Sequence, residues 1–215
     1  MKMRDNTLDR PKMLGDPHAR SKRLTELQAA HMKPLSDFVA QLRQEVGEVA
    51  GIPDFDPWDG GVEAEILFLL EAPGAKAVQS GFISRNNPDE TAKNFFEICS
   101  DAGISRSRSV VWNIVPWYIG SGSKIRPASS IDLTSGSSSL KKFLDLLPRL
   151  RVIVLVGRKA EYAEKIIRPS FPNLRILKSF HPSPLFVNNA PGNRDIILKV
   201  FREAATILNS SNEEA

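Results

Sequence analysis

The run Val152-Ile153-Val154-Leu155-Val156 contains no polar side chain, and Gly157 follows it directly. A short, uninterrupted apolar run of this kind is typical of a parallel strand that helices cover on both faces. Further strands are predicted at about 65–70, 109–116 and 174–180. Strands that alternate with helices indicate an α/β fold, a three-layer α/β/α sandwich around a four-stranded, mainly parallel sheet.

Helical spacing of apolar residues and end signals complete this outline. The predicted helices cover 21–49, 91–102, 139–150, 157–167 and 193–208. The first has a break near Pro34, and the second is preceded by a start signal at 87–90 with Pro88 at the first helical position. The predicted loops cover 75–87 and the Gly/Ser-rich stretch 117–139, whose length is usual for functional or disordered loops. We expect a flexible basic arm over 1–20, a single domain over 21–208 and a tail over 209–215.

Composition narrows the class of protein. The chain has 215 residues, of which 41% are hydrophobic and 25% charged, as in soluble globular proteins. It has no apolar run long enough for a membrane span and no apolar secretory signal, so we expect a cytoplasmic monomer that does not bind membranes. Cys99 is the only cysteine, which excludes an intramolecular disulfide and a cysteine-built metal cluster. No metal or other cofactor is predicted.

Charge is distributed unevenly along the chain. Residues 37–71 carry nine acids and one arginine, whereas residues 72–215 carry twenty Lys and Arg and twelve acids. Residues 1–36 are also basic, with eight Lys and Arg against four acids. Basic regions favour polyanions such as nucleic acid, although a solvated surface explains the same balance.

Two short motifs follow predicted strands. Glu71-Ala72-Pro73-Gly74 follows the run 66–70, and His181-Pro182-Ser183-Pro184-Leu185 follows 174–180. Open α/β sheets bind their ligands beyond the carboxyl ends of the strands, where both motifs are expected to lie. A carboxylate and an imidazole would then face one ligand from two sides.

Together with Gly81-Phe82 and Asn113, these motifs resemble the uracil-DNA glycosylase superfamily over about residues 62–205. The first motif resembles the family 4 enzymes and the second the family 1 form. Cys99 alone cannot hold the iron–sulfur cluster of family 4, so the chain looks like a cluster-free relative. The resemblance implies the four-stranded fold predicted above and a monofunctional glycosylase that hydrolyses uracil from DNA and leaves an abasic site.

The resemblance also implies roles for residues around the base. Glu71 would orient or deprotonate the attacking water, and His181 would stabilise the uracil anion at O2. The remaining base contacts would be the backbone at Ala72 and Gly74, stacking by Phe82 and pairing of Asn113 with N3–H and O4. Structural alternatives are a turn-capping role for Glu71 and Asn113 and a core role for Phe82.

Further residues would contact DNA. Leu185 would enter the duplex where the uracil has left, and Ser183, Lys124 and Arg126 would hold phosphates. A buried strand-end position is the alternative for Leu185, and a solvated loop is the alternative for the other three. The expected partners are uracil-containing DNA and free uracil as product.

Other functions stay open at this point. Family 1 has a tyrosine at the position of Gly74 that excludes the thymine methyl, so release of hypoxanthine, xanthine or mismatched thymine is an alternative. A non-catalytic protein that binds uracil or abasic sites is another. A third is a nucleotide-binding enzyme that cradles phosphate at Pro73-Gly74-Ala75-Lys76, although the stretch lacks G-x-x-x-x-G-K-[ST].

Overall fold

A computed structural model describes residues 9–47, 51–122 and 124–210. The strands are β1 (Asp54–Phe55), β2 (Ile66–Leu70), β3 (Phe82–Ile83), β4 (Ser109–Asn113), β5 (Gly120–Ser121), β6 (Lys124–Ile125), β7 (Val152–Val156) and β8 (Arg175–Ser179). The α-helices are α1 (Pro17–Thr25), α2 (Lys33–Val46), α3 (Ala75–Ser80), α4 (Glu90–Asp101), α5 (Ser130–Ser137), α6 (Leu140–Asp145), α7 (Glu164–Ser170), α8 (Pro184–Val187) and α9 (Asn193–Asn209). No helix in these ranges is long and apolar enough to cross a membrane.

The central sheet has four strands in the order β4-β2-β7-β8, and all neighbours are parallel. All side chains of β7 are fully buried, as the apolar run predicts for a strand covered on both faces. Helices flank the sheet, so the predicted α/β class and its four-stranded parallel sheet are confirmed.

The order of the strands determines where the loops meet. In chain order, β2 comes first and β4 lies on one side of it, whereas β7 and β8 lie on the other side. The crossing between β4 and β7 makes β2 and β7 the point at which the winding reverses. Because all four strands are parallel, the loops after Leu70, Asn113, Val156 and Ser179 leave the same edge of the sheet.

Several local predictions differ from the structure. The predicted loop 75–87 contains α3 and β3, and the predicted loop 117–139 contains the β5–β6 hairpin and α5. The predicted helix over 139–150 is only α6, and 157–167 begins as a 3₁₀ turn before α7. Pro88 precedes α4 rather than beginning it, because the Asp89 side chain accepts a hydrogen bond from the Ala92 N–H and forms the N-cap.

Residues 9–20 differ from the flexible arm expected for 1–20. Leu14 is fully buried, its N–H donates to the Asn86 carbonyl at 3.0 Å, and α1 begins at Pro17. The Asn86 side chain donates to Asp9 at 2.8 Å and to the Arg10 carbonyl at 2.7 Å. This segment therefore packs against the loop after β3. Residues 1–8 and 211–215 lie outside the described residues.

A buried cluster of charges joins the N-terminal segment to the centre of the protein. Asp56 is fully buried and bonds to the guanidinium groups of Arg23 and Arg106. Burial alone would raise the pKa of Asp56, but these two cations hold it below its ordinary value. Asp59, which is 2.9 Å from Arg106 Nε, has its pKa raised because burial outweighs its cationic neighbours. The cluster pairs the acidic segment of the sequence with distant arginines.

Candidate active site

A cavity of about 510 Å³ opens at the carboxyl edge of the sheet. Its wall includes Glu71, Ala72 and Gly74 after β2, Asn113 at the end of β4, and His181 after β8. The structure thus brings together side chains that are up to 110 positions apart in the sequence. The volume lies within the range of roughly 300–1,000 Å³ that is usual for small-ligand sites.

One part of the cavity wall consists of polar residues whose side chains already have partners. The Asn87 side chain accepts from Ser80 Oγ at 2.6 Å and donates to the Phe82 carbonyl at 2.9 Å. Arg85 donates to Ser109 Oγ at 2.7 Å, and Ser84 donates to Asp56. These contacts hold the loop 84–87 in place.

A second set of polar groups on the wall has hydrogen-bonding capacity to spare. Within residues 9–47, 51–122 and 124–210, neither the Asn113 carboxamide nor the His181 ring forms a hydrogen bond with any other group of the protein. Asn113 is only 4% exposed, so water solvates its amide through the cavity alone. Glu71 and Asp89 each accept one backbone hydrogen bond through a single oxygen, and the other oxygen has no hydrogen-bond partner among the described residues. These four side chains can bind a polar ligand from several directions.

The Glu71 carboxylate is oriented by the segment that follows the β5–β6 hairpin. Its Oε1 accepts a hydrogen bond from the Ala128 N–H at 2.6 Å. The Ala128 carbonyl in turn accepts one from Lys159 Nζ, also at 2.6 Å. Lys159 comes three residues after β7, so it links the loop after that strand to Glu71 through one intervening residue.

His181 packs closely against Gly157 at the end of β7. Gly157 has φ of +89°, and a Cβ added there would lie 3.4 Å from His181 Cβ. Burial of the ring lowers the pKa of His181, and the carboxylates of Glu71 and Asp89 oppose this effect only in part. The lowered pKa favours the neutral imidazole, which carries one N–H donor.

The Asp89→Asn variant tests this balance. Asparagine is as good an N-cap as aspartate, so α4 should be retained while one carboxylate near His181 is lost. Because that carboxylate raises the pKa of His181, its removal should lower this pKa further. With only three histidines, His181 is readily followed by an NMR pH titration. His18 is the internal control, and a His181 pKa that rises or stays unchanged would contradict the expected electrostatics.

Phe82 does not lie where the base-stacking prediction requires. It is fully buried in β3, which pairs with β1, and it is not part of the cavity wall. Ile83, the next residue along β3, lines the cavity instead, because neighbouring side chains of a strand point to opposite faces. The alternative of a core role for Phe82 agrees with the structure, and the stacking role does not.

The predicted DNA contacts lie at the edge of the cavity or beside it. Leu185 is 88% exposed, which rules out the buried strand-end alternative for this residue. Ser183 precedes α8, and Lys124 is exposed on β6. Arg126 lines the cavity but forms a two-bond ion pair with Asp132 at 2.6 and 3.0 Å. Its guanidinium is therefore only partly available for a phosphate.

Sequence reasoning does not identify one residue of the cavity wall and one residue that supports the wall. The sequence pattern predicts Asp89 only as part of a helix start, yet its cap position also places a carboxylate on the cavity wall. Lys159 had no motif to identify it. Its position shortly after Gly157, at the carboxyl end of a central strand, was the available signal. Within the described ranges, no three or more His, Cys, Asp or Glu side chains are grouped to hold a metal.

Comparison with known proteins identifies the family. The model of the Uracil DNA glycosylase superfamily matches residues 57–205, and no curated protein matches the chain. The chain is similar to the wild-type SMUG2 of Pedobacter heparinus, with 14% identity, a TM-score of 0.52 and coverage of 69% of this chain and 77% of that one. A second solved structure, a candidate Uracil DNA glycosylase from Methanosarcina acetivorans, has 20% identity, a TM-score of 0.45 and coverage of 66% and 91%. At these identities the SMUG2 likeness shows the fold alone, whereas the family match spans more than half of the chain. The chain therefore belongs to the Uracil DNA glycosylase superfamily, a family of DNA glycosylases.

Proposed function

We propose that the protein is a monofunctional DNA glycosylase that hydrolyses the N-glycosidic bond of uracil flipped out of DNA. The products are free uracil and an abasic site, as in base excision repair. The observation that carries this proposal is the set of free polar groups in one cavity: the Asn113 amide, the His181 imidazole and the second oxygen of Glu71. These groups match the three chemical needs of the reaction, which are base recognition, leaving-group stabilisation and activation of water.

Asn113 is suited to reading the base. A carboxamide offers both an acceptor and a donor, which uracil requires at N3–H and O4. Because the Asn113 amide is buried and has no protein partner in the described part of the chain, a base that fails to pair with it leaves a polar group unsatisfied. Cytosine presents the opposite pattern at these two positions, so the same amide would have to reorient to bind it.

His181 is suited to stabilising the departing base. As the glycosidic bond breaks, negative charge develops on the uracil, including its O2. A neutral imidazole can donate its N–H to that oxygen, and the low pKa of His181 keeps the ring in this form. Burial makes one such hydrogen bond stronger than it would be in solution.

Glu71 is suited to the sugar side of the reaction. The carbon that loses the base develops positive charge, which a nearby carboxylate stabilises, and a water must be oriented to attack it. The Ala128 N–H holds one oxygen of Glu71 at 2.6 Å and leaves the other for that water. Lys76 on the cavity wall is exposed and donates to Gln79, which supports hydrolysis rather than attack by an amine.

The exposed Leu185 supports access to the base. Flipping a nucleotide leaves a gap in the stack, and an apolar side chain can fill it. Leu185 is 88% exposed at the start of α8, four residues after His181, so insertion of this residue and binding of the base can occur together. Ser183, which precedes α8, and Lys124, on β6, are proposed to contact phosphates.

The link from Lys159 to Glu71 leads to a kinetic prediction. Lys159→Met removes the hydrogen bond to the Ala128 carbonyl and frees the segment that orients Glu71. We expect kcat to fall about tenfold while KM changes little, because small displacements of a reacting group slow chemistry more than binding. Lys159→Arg should restore part of the rate. Lys142→Met, which removes only a surface ion pair, is the control, and equal rates in both methionine variants would contradict the link.

A second candidate is a glycosylase of broader specificity. A Cβ added at Gly74 would have no heavy atom within 4 Å, so the cavity has open space at this point of its wall. Nothing at Gly74 itself would exclude the methyl group of thymine. Gly74→Tyr should reduce any release of thymine more strongly than that of uracil, and equal reductions would count against a specificity role for this position.

Strand scission tests the proposal. The protein is incubated in EDTA with labelled oligonucleotides that contain one uracil, one hypoxanthine or one G·T mismatch, and the products are treated with hot alkali. Cleavage of the uracil strand only after alkali would support a monofunctional uracil-DNA glycosylase. Cleavage before alkali would overturn the monofunctional assignment, and release of another base alone would favour the second candidate. Binding without cleavage of any substrate would leave a damage-binding protein.

A further inference from the structure

Phe180 is an exposed aromatic ring directly before His181. Its side chain is 51% exposed, although the ring lies in parallel contact with Phe186, with 4.4 Å between centroids and 13° between planes. Phe186 itself packs against the hydrophobic core. One face of the Phe180 ring is therefore supported by the protein, while much of the rest is open to solvent.

The loop that carries this aromatic pair is held firmly in place. Asn94 on α4 donates to the Pro182 carbonyl at 3.0 Å, and Asn193 on α9 donates to the Phe186 carbonyl at 2.7 Å. The Phe186 N–H donates to the Ser183 carbonyl at 3.0 Å. The ring plane is thus oriented before any ligand binds, which lowers the entropy cost of stacking on it.

A cationic side chain follows the neighbouring strand. The register pairs Val156 with Ser179, and the Gly157 N–H donates to the Ser179 carbonyl at 2.8 Å, so Gly157 lies at the level of Phe180 and Arg158 comes one position later. Arg158 is exposed and has no hydrogen-bond or ion-pair partner in the part of the chain that the structure describes. A flat apolar surface after one strand and a free guanidinium after its neighbour complement a planar base attached to an anionic backbone.

We propose that Phe180, supported by Phe186, is a binding site for a second nucleobase, one that loses its stacking partner when the target nucleotide leaves the helix. The site is distinct from the cavity that holds the flipped base and from Leu185, which enters the gap. This inference rests on the proposed function, because it requires a flipped nucleotide at His181. Arg158 contacts the backbone phosphate next to the stacked base.

The test combines protein and DNA substitutions. The probe is a duplex with 2′-fluoro-2′-deoxyuridine, whose fluorine slows loss of the base. In separate duplexes, a tetrahydrofuran residue replaces the 5′ neighbour, the 3′ neighbour or the base opposite. Wild-type affinity should fall about five- to one-hundredfold at one of these positions. The affinity of Phe180→Leu for the intact probe should be lower than that of the wild type by a similar factor. The tetrahydrofuran at that position should then cause no further loss of affinity, which is the coupling expected for a direct contact.

Matched variants separate stacking from other effects. Phe180→Trp keeps an aromatic plane and should retain binding, while Leu24→Ala removes a side chain of similar exposure, 52%, on α1 and should change nothing. Phe180→Leu should leave the salt dependence of binding unchanged, whereas Arg158→Gln should reduce its slope by about one. If Phe180→Leu and each tetrahydrofuran substitution changed the affinity for the duplex independently of one another, the inference would be overturned. Failure of the wild-type protein to bind the probe or excise uracil would instead overturn the proposed function, and the inference with it.

Discussion

The Glu71→Gln variant is expected to excise uracil about 10²- to 10⁴-fold more slowly than the wild-type protein. Glutamine has the same shape, and its amide oxygen can still accept the hydrogen bond from the Ala128 N–H. It carries no negative charge, however, and cannot accept a proton from water. The loss should therefore appear in single-turnover rates and leave the affinity for the 2′-fluoro duplex within a few-fold of wild type.

The control for this prediction is Glu97→Gln, which changes an exposed carboxylate on α4 that makes only a 4.0 Å ion pair. Its rate should equal that of the wild type. If Glu71→Gln kept more than about a tenth of the wild-type rate with an unchanged melting temperature, Glu71 would be a turn-capping residue and another group would orient the water. Asp89, whose carboxylate also lies on the cavity wall, would then be the first residue to substitute in search of that group.

His181→Ala is expected to slow excision by about 10²- to 10³-fold, the usual effect of removing one donor to a developing anion. The ring is half-buried and has no hydrogen-bond partner among residues 9–47, 51–122 and 124–210, so its deletion breaks no such bond within that part of the fold. His181→Gln retains an N–H donor and should recover part of the loss. The measurement is again the single-turnover rate, with His18→Ala in the exposed part of α1 as the control.

The pH dependence gives a second test of His181. Since burial lowers its pKa, the wild-type rate should be constant around pH 7 and fall only on the acidic side of the ordinary histidine value. The imidazolium that forms there is disfavoured by burial, so protonation should also weaken the fold in acid. A rate that rises as the pH falls through this range would show that the charged ring is the active form.

Much of the central architecture could be predicted from the sequence. The apolar runs of β2 and β7 and the turns after them identify the parallel sheet and the edge at which Glu71, Asn113 and His181 meet. This succeeds because a strand buried on both faces has a composition that few other elements share. The placement of these three residues on one cavity follows from parallel pairing alone.

The misplacement of Phe82 has a physical reason. Gly81 and Phe82 match a motif by type, but β3 is only two residues long, and which of its two side chains faces the cavity depends on its pairing with β1. A shift of one position exchanges the faces of a strand, and no periodicity can be measured over two residues. Ile83 was therefore not distinguishable from Phe82 in the sequence.

The charge pattern also had a meaning that the sequence could not reveal. The sequence shows that segment 37–71 is acidic, but not that Asp56 and Asp59 are buried against Arg23, Arg85 and Arg106. Which acid meets which arginine depends on tertiary contacts between residues far apart in the chain. The same dependence explains why the polar composition of residues 1–20 predicts a flexible arm although residues 9–20 pack against the loop after β3.

The contacts of the N-terminal segment have a consequence for the order of folding. Asp9 bonds to Asn86 and Arg106, partners that are 77 and 97 residues away along the chain. Contacts of such high separation close late, because the loop entropy must be overcome before they form. During synthesis, the N-terminal segment emerges first but cannot dock until Arg106 has left the ribosome. The loop 84–87, and with it one wall of the cavity, is therefore completed only after synthesis has passed Arg106. His181 comes 75 positions later still, so a newly made chain acquires its ligand site late.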